Sequence, residues 1–275
     1  MSKLSDLKGH IHTLGEIKSI LNAMKNLSIV EMTKVSRLLA THGKAAATIQ
    51  EALADFEFFY GPPGPDPGTD GLFCVLIGSE RGFCGGFNER IAAHFGKAAA
   101  GPRNVRILVV GRKLAMKFEG DPRLAGTMDG PSAAEEIPAT ISSLCEQLRV
   151  HSGSRWLVIH NDGGEAQLET LETYPLEART RSAPRPFPFP PLLYQPPAQL
   201  YPLLLEQQLF AVLYGVFYLS FMAENRERLR HMDGAIGKID KDWSRMTLRA
   251  NALRQEEITE ELEIILMSPA LGKDG

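Results

Sequence analysis

From Leu229 to Leu253 the apolar residues step by three and four in strict alternation: Leu229, Met232, Ile236, Ile239, Trp243, Met246, Ala250 and Leu253. This is an a/d heptad seam, and a stripe so narrow needs a second helix laid along it to be buried. The other long helical stretch lies at the opposite end of the chain, from Leu4 to about Tyr60. It opens on candidate caps at Ser2 and Ser5 and carries Leu4, Leu7, Ile11, Leu14, Ile17, Leu21 and Met24, continuing to Val35 and Leu38. Its phase slips near Leu14, and Ser28 and Glu31 fall on the projected seam. The two ends are therefore expected to pair as an antiparallel coiled coil, with everything between them looped out as a separate body.

The stretch Gly61 to Gly71, GPPGPDPGTDG, cannot continue a helix and marks the boundary of that body. Beyond it the pattern becomes that of buried strands at Leu72–Ile77, Val105–Val110 and Trp156–His160. Helical stretches at Asn88–Ala99, Arg112–Phe118 and Ile137–Val150 supply the crossovers of a small Rossmann-like α/β domain with a parallel sheet. The tetrapeptide Asn161-Asp162-Gly163-Gly164 predicts a hairpin turn that adds antiparallel strands at one edge, and the domain closes near Leu176. The prolines of 185–202 exclude regular helix and make a stiff return path. From Leu203 the helix signals run to Pro269, which predicts a helix of roughly 60 residues, about 90 Å long. The expected division is 1–60, shaft helix; 72–177, α/β domain; 178–202, connector; 203–268, second shaft helix; 269–275, tail.

Several chemistries fail on the residues. A net charge of −3 gives no general attraction to nucleic acid, and none is expected as a partner. Cys74, Cys84 and Cys145 form an odd set without CxxC spacing, read as reduced thiols. The seven histidines are scattered, so neither a metal nor a catalytic centre is expected. The loop Gly78–Gly86, GSERGFCGG, stands where α/β folds bind phosphates, yet it lacks GxGxxG and GxxxxGK[ST]. No cofactor is expected there, and the bland alternative is a tight glycine turn with Glu80 and Arg81 available for local or partner contacts. The N-terminal MSKLSDLKGH has no apolar core, so no secretory leader is expected. Gln207–Ala223 is uncharged and nearly as long as a membrane span, but its glutamines, Gly215, Ser220 and the run into ENRERLRH favour a helix buried against protein.

Three segments together resemble the gamma subunit of F-type ATP synthases. Ile20–Lys25, ILNAMK, is similar to the family's ITKAMK. Leu76–Asn88, LIGSERGFCGGFN, is very close to its LIGSDRGLCGGLN loop and is the most specific of the three. Glu224 through ENRERLRHM, Asn251, Arg254-Gln255, Ile258-Thr259 and Glu261-Leu262 matches the terminal helix with its RQxxITxEL core. The departures are Glu31 where a lysine is usual, Thr33 at an arginine position, Ile264 in place of an acid, and Ser268-Pro269 where Gly-Ala is expected. They point to a divergent or second-copy F-type enzyme, the alternate type found beside a housekeeping one being an example.

The resemblance implies a noncatalytic rotor that couples ion flow to ATP synthesis or hydrolysis. It would turn inside a ring of alpha and beta subunits, with an epsilon-type subunit and the membrane rotor ring as further partners. It would be peripheral, on the cytoplasmic face of a bacterial inner membrane. Its implied partner contacts are Met24, Lys25, Arg81, Arg254, Gln255, Ile258, Thr259, Glu261, Ile265 and Leu266. The seam agrees with that role, since it fails beyond Leu253: Glu257 takes the next a position and Ile258, Leu262 and Ile265 move to another face. The tip Ile264–Met267 then needs an enclosing apolar collar. The competing readings are a small α/β enzyme with a coiled-coil oligomerisation arm and a coiled-coil scaffold.

Overall fold

A computed structural model describes residues 3–61, 71–99, 104–149, 155–162, 170–174 and 188–267. Helix α1 spans Lys3–Tyr60 and helix α5 spans Pro197–Met267. Between them lie β1 (Leu72–Ile77), α2 (Phe87–Ala98), β2 (Val105–Val110), α3 (Arg112–Ala115) and β3 (Leu124–Met128). A 3-10 turn at Ala134–Glu136 then leads into α4 (Ile137–Arg149), followed by β4 (Arg155–Ile159) and β5 (Thr170–Tyr174). The strands form one sheet in the order β3-β2-β1-β4-β5, four parallel and β5 antiparallel on β4. The mixed α/β class, the parallel sheet with its antiparallel edge and the long terminal helix are those the sequence predicts.

The chain divides into two compact units, one of residues 28–229 and one of residues 1–27 with 230–275. In the first, one sheet face presents Phe73, Val75, Ile77, Leu108 and Val110 to Val35 of α1, to Ile137, Ile141 and Leu144 of α4, and to Leu213, Val216, Phe217 and Phe221 of α5. The other face presents Cys74, Leu76, Ile107 and Val109 to Phe87, Ile91 and Phe95 of α2 and to Leu114 of α3. Helices cover both faces, so β1 and β2 are apolar on both sides, exposed Arg106 excepted, and read as continuous runs. The uncharged stretch of α5 has the length and composition of a membrane span, but Leu213, Val216, Phe217 and Phe221 are consumed by this core.

In the second unit a narrow stripe is withdrawn from solvent on each helix. On α5, Met232 and Ala250 are buried, and Ile236, Ile239, Met246 and Leu253 are half-buried. Trp243 keeps 43% of its surface exposed. On α1 the stripe runs through Leu4, Leu7, Ile11, Leu14, Lys18 and Leu21. Here the structure corrects the sequence, because Ile17 is 41% exposed and Lys18 takes the inward place. The Lys18 ammonium is 2.6 Å from Asp240 and 5.8 Å from the centre of the Trp243 ring, so an ion pair and a cation–π contact stand where an apolar residue was expected. A second pair joins Lys25 to Asp233 at 2.5 Å. Between the two pairs α1 advances seven residues while α5 steps back seven.

Other expectations need correction. Helix α5 begins at Pro197, inside the segment expected to be non-helical, and contains Pro202. Pro197 stands at the first helical position, where its missing N–H would be unpaired anyway. The amides of Gln199 and Leu200 close onto the Pro196 carbonyl. Pro202 then forfeits one bond, to the carbonyl of exposed Ala198, which water can satisfy. Helix α3 stops at Ala115 because Lys117 and Phe118 turn their amides to the i−3 carbonyls of Leu114 and Ala115, tightening the last turn. Strand β3, with the sequence LAGTM, was not expected, since alanine and glycine leave it without an apolar run. Leu38 is exposed while Leu39 packs on the core. Residues 62–70 of the expected boundary, Gly163-Gly164 of the turn, the domain end near Leu176, the connector up to 187, Ser2 and the tail from 268 lie outside the described residues.

Candidate functional site

The loop after β1 is built on close approach. Gly78 lies so near α3 that a Cβ there would clash with the side chain of Leu114. Opposite it, Gly111 at φ 101° brings its own Cα against the carbonyls of Gly78 and Ser79, where a side chain has no room. The Ser79 amide donates to Asn88 Oδ1 at 3.0 Å, and Asn88 Nδ2 donates to Ser79 Oγ at 2.8 Å. Glu80 accepts the amides of Arg112 at 3.0 Å and Gly130 at 2.8 Å, together with the Arg112 guanidinium. Burial pushes the Glu80 carboxyl up, but these donors outweigh it and hold the group below the ordinary carboxylate range. An internal carboxylate thus occupies backbone donors of the kind that receive a phosphate in nucleotide-binding α/β folds. Of the local or partner contacts expected of Glu80, the structure shows the local ones, with its oxygens engaged by Arg112 and Gly130 and the residue buried. Arg81 is exposed.

The rest of the loop is fastened to α5. Arg228, buried, donates to Glu224, to Asn225 Oδ1 at 2.8 Å and to the Gly82 carbonyl at 3.3 Å, and its Nη2 lies 3.5 Å from Cys84 Sγ. Burial pushes the Glu224 carboxyl up to about 7, against the pull of Arg228 and the Arg81 amide. Burial, with the Glu224 charge, pushes the Cys84 thiol up to about 11, leaving it a packing group with little thiolate character. At the tip of the loop Phe83 sits at φ 63° and is exposed. Sequence reasoning missed Glu224, Arg228 and Asn88 as one polar cluster with Glu80. The usable signal was the i, i+4 Glu–Arg spacing immediately after an apolar run, where a solvated pair would have no reason to start.

The residues expected to touch partners fall into two sets. Met24 and Lys25 are half-buried, with Lys25 committed to Asp233. Arg254, Gln255, Ile258, Thr259, Glu261, Ile265 and Leu266 all lie exposed on the last turns of α5. Thr259 turns its hydroxyl back to the Gln255 carbonyl at 2.9 Å. From Arg254 to Met267 every residue is exposed, with Ile264 at 70% and Leu266 at 83%. Five glutamates, at 256, 257, 260, 261 and 263, share this segment with Ile258, Leu262 and the apolar end. Among the described residues, no group of three or more His, Cys, Asp or Glu is disposed to hold a metal ion.

A protein-family profile described as ATP synthase matches residues 3–271. The chain belongs to the ATP synthase family. Among the family's curated members, the ATP synthase gamma chain of Bdellovibrio bacteriovorus is 24% identical over 98% of this chain and 99% of its own length. That of Granulibacter bethesdensis is 27% identical over 98% of this chain and the full length of the relative. Among solved structures, the rotor of the Euglena gracilis mitochondrial ATP synthase superposes with a TM-score of 0.65 at 14% identity, covering 93% of this chain and 98% of that one. The family likeness therefore runs from end to end, through sequence in the bacterial relatives and through fold in the mitochondrial one.

Proposed function

We propose that this chain is the gamma subunit of an F-type ATP synthase, the noncatalytic rotor of its central stalk, coupling ion flow to ATP synthesis or hydrolysis on a surrounding ring of alpha and beta subunits. Its ends form an antiparallel coiled coil, and the α/β domain between them is a Rossmann-like insertion. The crossed lysine–aspartate pairs support this reading, because their opposite steps of seven residues are what two antiparallel helices in heptad register require. The carrying observation is the end of α5. Four consecutive large apolar residues, Ile264–Met267, stand open to solvent on a helix that has outrun its seam. Such a patch is an aggregation hazard unless enclosed, and a ring closing around it provides the enclosure.

On this reading Arg254, Gln255, Ile258, Thr259, Glu261, Ile265 and Leu266 touch the ring, Met24 and Lys25 lie lower on the shaft, and Arg81 faces partners of the α/β domain. Solved relatives are described with an F1 and a c-ring in one assembly. Here too an epsilon-type subunit and a membrane rotor ring complete the set, at the cytoplasmic face of a bacterial inner membrane. A shaft without symmetry inside a ring of three equal catalytic sites makes them unequal. Coupling is then the difference between the contacts it makes with each beta subunit in each state. The test is co-expression with the alpha and beta subunits of the same organism. The purified chain alone should hydrolyse no ATP, while the three-component complex should hydrolyse it and retain the chain through gel filtration. Turnover by the chain alone, or no association with the ring subunits, overturns the reading.

A further inference from the structure

Glu31 is a buried carboxylate on α1, 5% exposed, inside the unit of residues 28–229. A charge withdrawn from water is tolerated only where donors replace the solvent. Two do so. The Ala134 amide donates to its Oε2 at 2.9 Å, and Lys34, three residues further along α1, donates to its Oε1 at 2.9 Å. Lys34 in turn reaches Glu135 at 2.9 Å. Ala134 and Glu135 are the leading residues of the 3-10 turn that opens α4, where the first amides have no partner within the helix. Ser132, two residues before, gives its amide to Glu136 at 2.6 Å. The Ala134 amide is instead satisfied by a side chain 103 residues away in sequence.

We propose that Glu31 is a positioning residue, a clasp that locks α1 to the leading end of α4 so that the helix and the sheet domain turn as one body; the load it carries follows from the rotor reading given above. Beside it and the more exposed Lys34–Glu135 pair, α1 meets the sheet domain through apolar contacts such as those of Val35 and Leu39 with the core. Such contacts are non-directional and can slide by small steps. A carboxylate bonded to one named amide has a single register. Lys34 adds a second fixed point, because it bridges an acid on each element. Arg228 likewise ties α5 to the loop after β1, so each long helix is fastened to the domain through a buried charged side chain bonded to a distant backbone group. The site calls for an acceptor at 31, since a cation there would face both the Ala134 N–H and Lys34.

The test uses the full chain as wild type, Glu31→Gln, Glu31→Ala and Lys34→Ala. Amide hydrogen exchange read at Ala134 should rise about fivefold or more in Glu31→Ala and stay near wild type in Glu31→Gln, whose amide oxygen still accepts. The same variants are then assembled with the ring and membrane subunits in vesicles. Ions transported per ATP hydrolysed should fall in Glu31→Ala, fall less in Lys34→Ala and recover in Glu31→Gln. Unchanged Ala134 exchange in Glu31→Ala overturns the clasp. Raised exchange with an unchanged transport ratio overturns its part in transmitting torque. If the wild-type complex shows no coupled transport, the rotor reading falls, and exchange on the chain alone still decides whether the clasp exists.

Discussion

The two units of this chain are held together by different means. In residues 28–229 the sheet is sandwiched, and Val75, Leu76, Ile107, Leu213 and Phe217 are withdrawn almost completely from water. The unit of residues 1–27 and 230–275 has a stripe one residue wide, in which Leu4, Leu21, Met232 and Ala250 are buried and most neighbours only half so. It adds ion pairs between its two helices. A thick core tolerates loss of register and fails when volume is removed, whereas a thin seam depends on register and on the charges that set it. On the proposed reading, a body that must stay rigid and a shaft that must fit inside a ring call for these two solutions.

The largest effect is expected in the body. Phe217→Ala removes a buried ring between α5 and the sheet and should cost about 3–5 kcal/mol in chemical denaturation. Met232→Ala in the seam should cost about 2–3 kcal/mol, with exposed Lys238→Ala as a control within about 0.5 kcal/mol. If Met232 and Lys238 variants melt together, the seam assignment is wrong. Lys25→Ala should cost no more than about 1 kcal/mol, since its pair with Asp233 is partly exposed, and the cost should shrink further at high salt. A salt-independent loss of several kcal/mol would mean that the pair is part of a buried network. Smallest of all in stability is Arg254→Ala, expected within about 0.5 kcal/mol. In the assembled enzyme, however, Arg254→Ala and Gln255→Ala should lower turnover or the ions pumped per ATP, and unchanged values in both remove these residues from the ring contact.

The sequence was most legible where a pattern has one physical cause. The heptad steps of α5 predict the burial of Met232 and Ala250, and the apolar runs predict β1 and β2 to the residue. Legibility failed where tertiary context overrides local preference. The stripe of α1 is read through Ile17, yet Asp240 and Trp243 make the inward place favourable to Lys18. Pro202 reads as a breaker, but so close to the helix start it costs one exposed bond. Strand β3 has no pattern of its own and is recruited by the edge of β2. In the candidate site, the exposure of 254–267 follows from the failing seam. The buried links of Glu31 and Arg228 do not, because their partners, Ala134 and Gly82, are backbone groups distant in sequence that no spacing rule connects.

The central claim is that this chain turns as a rotor, and it can be watched directly. A probe is attached to an exposed cysteine introduced at Lys113 on the α/β domain, and the chain is assembled with alpha and beta subunits immobilised on a surface. On adding ATP the probe should rotate continuously in one direction and stop when ATP is exhausted. A complex that hydrolyses ATP while the probe shows no directed rotation would contradict the account.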